Sequence, residues 1–111
     1  MNFDAYQNHA LRTEAGMDKT LPRVLNGALG LCGEAGEFAD ILKKHYFQGH
    51  PLDTEHLAKE LGDILWYVAV AADAIGYDLD VIAAMNVRKL EARYPNGFEA
   101  DKSLNRAAGD I

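Results

Sequence analysis

ILWYVAV, Ile64 to Val70, decides the fold. Alone, this apolar run with its valines and aromatics reads as well as a buried strand as it does as a helix. The flanks settle the choice. Glu60 and Asp63 precede it and Asp73 follows it, while Leu57, Leu61, Ile64, Leu65, Val68, Ala72 and Ile75 recur at three and four residues. That is the period of a helix with one buried stripe. The run therefore lies inside a helix capped by Asp53 or Thr54 and stopped by Gly76.

The same period extends outward along the chain. Phe3, Tyr6, Ala10 and Leu11 predict a short first helix ending near Gly16. Asp18 to Leu21 reads as a loop, and Pro22 suits the first turn of a long second helix. That helix carries Leu25, Ala28, Leu29, Cys32, Ala35, Ala39 and Leu42 and is expected to end at the basic pair Lys43 and Lys44. Gly49 and Pro51 break the chain before the third helix. Beyond Gly76, Asp78 or Asp80 caps a fourth helix that runs through Ile82, Met85 and Leu90 to Tyr94, where YPNG closes it. From Glu99 the residues are small and polar, an arm or a disordered tail. The expected fold is an all-α bundle of about four helices.

Bulk properties narrow the function. A chain of 111 residues suits one domain with a modest core, which oligomerisation would complete. A net charge of −6 argues against nucleic acid or an anionic membrane as partner. Cys32 is the sole cysteine, so neither a disulfide framework nor a cysteine-rich zinc site is available. The start, MNFDAYQNHALR, lacks the pattern of a signal peptide, and the longest apolar run, Ile64 to Ala72, is far short of the ~20 residues that cross a bilayer. A soluble cytoplasmic protein is expected.

Two stretches carry chemistry. In NGALGLCGEAGEFAD, Asn26 to Asp40, glycines fall at every third position (Gly27, Gly30, Gly33, Gly36) inside a helix, at about 1 kcal/mol each relative to alanine. Such a stripe lets a neighbouring helix, a second subunit or a ligand come close. Glu34 and Glu37 stand three residues apart on this helix, and Glu60 and Asp63 repeat the spacing on the next, with Tyr67 in line. If the two helices are antiparallel, four carboxylates converge, and like charges so placed need a counter-charge. An all-oxygen, carboxylate-rich set suits Mg²⁺ or Mn²⁺. On the fourth helix Asn86, Lys89 and Arg93 form a stripe able to receive a metal-bound polyphosphate. One E-x-x-E pair is most often a solvated face; two pairs bordering the core on successive helices shift the balance. The four histidines show no ligand spacing with one another, and no Glu-x-x-His occurs, which argues against a di-iron bundle.

GLCGEAGEFADILKK followed by KELGDILWYVAVAAD resembles the MazG-type members of the all-α nucleoside triphosphate pyrophosphohydrolases. Glu34-x-x-Glu37 and Glu60-x-x-Asp63 match their paired signature with 22 residues between, and NVRKLEARYPNGF resembles their later block. The resemblance runs from about Phe3 to Phe98, so a MazG-like helical domain is expected over residues 1–98, with a tail over 99–111. It implies Mg²⁺-dependent hydrolysis of NTPs or dNTPs between the α and β phosphates in a homodimer or homotetramer. It also implies that Glu34, Glu37, Glu60 and Asp63 bind the metal and that Glu37 positions or deprotonates the water. Asn86, Lys89 and Arg93 would contact phosphates or metal-bound waters, Tyr67 the sugar or base, and Lys44 with the FQGH loop would close over the nucleotide. The alternatives are a phosphoribosyl-ATP-type pyrophosphohydrolase and a non-catalytic helical module that binds nucleotide or protein.

Overall fold

The computed structural model describes residues 1–16 and 20–111. The described residues form five helices and no strand: α1 Phe3–Leu11, α2 Thr20–Gln48, α3 Thr54–Ala74, α4 Leu79–Arg93 and α5 Ala100–Leu104. ILWYVAV lies wholly within α3, as its flanks require. Of the two candidate caps for α3, Asp53 takes the role: its side chain accepts from the amide of His56 at 3.0 Å. At the other end Gly76 turns left-handed at φ 85°. Its amide reaches Asp73 O at 2.9 Å, and that of Tyr77 reaches Ala72 O at 2.9 Å. This pair of bonds satisfies the last carbonyls of the helix.

Three boundaries differ from expectation. α1 ends at Leu11 instead of near Gly16, because the amide and the hydroxyl of Thr13 both turn back onto Ala10 O, at 3.0 and 2.8 Å. α2 is already helical at Thr20, and the rest of the loop expected over Asp18 to Leu21 lies partly outside the described residues. It also continues past Lys44 to Gln48, since nothing in HYFQ opposes a helix until Gly49 adopts φ 73°.

Met1 to Leu79 form one compact unit and Asp80 to Ile111 a second. In the first, α3 is central, and Ala69, Val70, Ala72 and Ala74 are buried together with Ala10 and Leu79. The side chains here are mostly small, so the helices approach closely and polar staples hold the remainder. Gln7, 4% exposed, donates to Ala69 O at 3.2 Å and Tyr77 O at 3.1 Å and accepts from the amide of Leu79 at 3.0 Å. Arg23 forks onto Glu14 at 2.8 Å and Asp73 at 2.7 Å, joining the segment before α2 to α3. Leu61 and Ile75, expected inside, are more than half exposed.

The glycine stripe explains how α2 meets α3. A Cβ at Gly27 would fall 2.9 Å from that of Ala71, and one at Gly30 would overlap the ring of Tyr67. Gly33 and Gly36 face open space. α2 thus turns its glycine and Glu34 side to α3 and leaves Leu25, Ala28, Leu29, Cys32, Ala35, Ala39 and Leu42 exposed.

In the second unit, the tail expected as an arm or disorder contains α5. It returns Asp110 to Arg93, whose guanidinium donates through Nε and Nη2 to the two carboxylate oxygens, each at 2.8 Å. A planar fork matched to a carboxylate is reason enough for this chain reversal. Among the described residues no helix is long and apolar enough to cross a membrane.

Candidate functional site

Glu34 and Glu37 on α2 and Glu60 on α3 each bring one carboxylate oxygen within 4.8 Å of the others. The approach of α2 and α3 at Gly27 and Gly30 makes this meeting possible. Glu60 is 8% exposed. Glu34 is half-buried as a whole, yet its Oε2, like Oε2 of Glu60, is shut off from solvent and without a hydrogen-bond partner. Two buried acceptor oxygens with no donor are costly unless a proton or a cation lies between them. A shared hydrogen bond with Glu60 is the largest cause that pushes the Glu34 carboxyl up to about 7; burial and the charges of Glu37 and Asp63 add to it. Without metal, Glu34 therefore takes up a proton more readily than an ordinary carboxylate does. The donor set is hard and all-oxygen, it gathers within 4.8 Å, and two of its residues carry a buried, unpartnered oxygen, so the residues fit a divalent cation of the Mg²⁺ or Mn²⁺ type.

Two cavities flank the cluster within the first unit. One, about 400 Å³, is lined by Glu37, Asp40, Ile41, Lys44, His50, Pro51, Asp53, His56 and Glu60. Lys44 is held at its edge by Asp40 at 2.9 Å. The other, about 370 Å³, is lined by Thr13, Glu34, Asp63, Trp66 and Tyr67. Here Trp66 Nε1 donates to the Thr13 hydroxyl at 2.8 Å, and the Trp66 and Tyr67 rings meet edge to face at 4.9 Å. Asp63 thus stands on the aromatic side of the cluster, and its charge, after burial, raises the pKa of Tyr6.

The expected residues are therefore distributed as follows. Glu34, Glu37 and Glu60 converge, Asp63 and Tyr67 line one adjoining cavity, and Lys44 lines the other. Asn86, Lys89 and Arg93 stand on α4 in the second unit, where Arg93 is engaged by Asp110 and flanks a cavity of about 240 Å³ with Lys102 and Arg106. Sequence reading passed over Thr13 and set His56 aside because it has no ligand spacing with the other histidines, while His50 belongs to the FQGH loop expected beside Lys44. The four-residue step from His56 to Glu60 was a usable signal; the position of Thr13 follows only from how α1 docks on α3.

A family model described as the MazG nucleotide pyrophosphohydrolase domain matches residues 25–98, about two thirds of the chain. The chain belongs to this family. The matched span of the MazG domain holds all the carboxylates of the cluster together with Lys44, Tyr67, Asn86, Lys89 and Arg93, whereas Thr13 and Asp110 lie outside it. The gene 37 protein of Mycobacterium phage L5 is similar along nearly all of the chain: 32% identical over 114 residues, covering 96% of this chain and 100% of the phage protein. No solved structure matches.

Proposed function

We propose that this MazG domain hydrolyses nucleoside or deoxynucleoside triphosphates between the α and β phosphates. Water adds to the α phosphorus, the bridging P–O bond breaks, and nucleoside monophosphate and pyrophosphate leave. The observation that carries this reading is the pair of buried, partnerless oxygens on Glu34 and Glu60 within a MazG domain. Glu34, Glu37, Glu60 and Asp63 are proposed to hold Mg²⁺, with Mn²⁺ as a substitute. The ion would supply neutralisation of phosphate charge and an acidified water. Glu37, exposed at the rim of the polar cavity, is the carboxylate proposed to accept the proton of that water. The aromatic cavity with Tyr67 suits the nucleoside, and the polar one with Lys44 suits the phosphates. Asn86, Lys89 and Arg93 are proposed phosphate contacts, and Arg93 would have to exchange Asp110 for its ligand. Such an activity serves nucleotide turnover or pool cleansing in the cytoplasm.

The test is pyrophosphate release from a panel of canonical and modified NTPs and dNTPs, with phosphoribosyl-ATP included, in Mg²⁺ and in Mn²⁺. Glu37→Ala and Asp63→Ala are expected to reduce turnover by a factor on the order of 10² or more. Equal release by wild type and variants would reject the enzyme in favour of a binding module; preference for phosphoribosyl-ATP would reassign the substrate.

A further inference from the structure

We infer that His56 is a positioning residue of the carboxylate cluster, setting the rotamer of Glu60 so that one of its oxygens faces Glu34 and Glu37. This rests on the metal-centre reading above. His56 lies one helical turn before Glu60 on α3, and its Nε2 stands 3.3 Å from Glu60 Oε1. Glu60 Oε2 has no partner, so the two oxygens of this buried carboxylate differ: Oε1 has the His56 ring beside it and Oε2 has nothing. The atoms that converge within 4.8 Å come from Glu34, Glu37 and Glu60, and among the described residues no histidine joins them. His56 therefore acts through Glu60 and is not itself a ligand.

Its backbone is anchored from below. The His56 amide donates to Asp53 Oδ1 at 3.0 Å, which anchors the first turn of α3, and its imidazole lines the polar cavity beside Lys44 and His50. A carboxylate on a flexible glutamate stem has several rotamers, and a ligand that must be reoriented for each binding event binds more weakly. Partners that orient metal-binding carboxylates typically contribute about 10- to 100-fold in metal affinity.

The experiment is calorimetric titration of the metal-free full chain with Mn²⁺ and with Mg²⁺, with no nucleotide present. His56→Ala is expected to weaken binding about tenfold or more, while His56→Gln, whose amide can still donate to Glu60 from the same turn, stays within about threefold of wild type. Circular dichroism verifies that each variant is folded. Unchanged affinity in His56→Ala overturns the inference, as does an equal loss in both variants, since the donor would then not be what matters. Absence of binding by the wild type would instead overturn the metal-centre reading beneath it.

Discussion

Glu34 carries a charge that its neighbours oppose. Hydrogen bonding to Glu60, with burial and the charges of Glu37 and Asp63, raises its pKa from 4.5 to about 7. The folded, metal-free chain then keeps a proton that the unfolded chain has already released between those two values. Stability from this source is complete below about pH 4.5 and is lost as the pH rises through about 7. Metal-free wild type is expected to lose thermal stability between about pH 5 and 8 relative to Glu34→Gln, which has no proton to give up. Mg²⁺ should restore wild type at the upper pH and leave the variant unmoved, because a cation binds the deprotonated pair in the proton's place. Parallel pH curves for the two proteins would show that Glu34 and Glu60 are not coupled as described.

At the scale of elements, the decisive contact is α2 on α3, and the glycines separate into two classes that a sequence does not distinguish. Gly27 and Gly30 are required by the close approach, whereas Gly33 and Gly36 meet nothing. Gly30→Ala forces the Tyr67 ring aside and is expected to cost about 1–3 kcal/mol, as other overpacked sites do. Gly33→Ala relieves the helix of a poor former and is expected to gain up to about 1 kcal/mol. Chemical denaturation of the pair measures both, and a stabilising Gly30→Ala would mean that α2 and α3 are further apart. The helical identity of ILWYVAV and the i, i+3 pairing of Glu34 with Glu37 were legible because period and spacing are local properties. The meeting of four carboxylates hung on how two helices pack, and Glu34, Glu37 and Glu60 gather while Asp63 lines the adjoining cavity. The lengths of α1 and α2 were not legible, because Thr13 folding back on Ala10 and the stop at Gly49 are choices among permitted turns. Nor was the side of α2 that faces α3: period identifies an apolar face, not what covers it, and here the small residues opposite took the contact.

At the scale of the molecule, that uncovered face asks for a partner. Leu25 is 54% exposed and Leu29 74%, and Leu21, Leu42 and Tyr46 continue the stripe. These side chains run along a helix of 29 residues, about 43 Å, and contiguous exposed apolar surface of that kind marks an interaction face. Pairing of two copies through α2 would bury it, and the bare backbone at Gly36 would allow a close approach there as well. Light scattering on the full chain is expected to give at least twice the monomer mass of 12.2 kDa. A glutamate placed mid-stripe must either be buried unpaired or break the assembly, so Leu29→Glu is expected to yield monomer. Its helical content should be kept, because this side chain points away from α3 and bears little on the fold of a single chain. A wild type that runs as a monomer at tens of micromolar would remove the pairing. The carboxylate cluster would stand regardless, since Glu34, Glu37 and Glu60 all come from one chain.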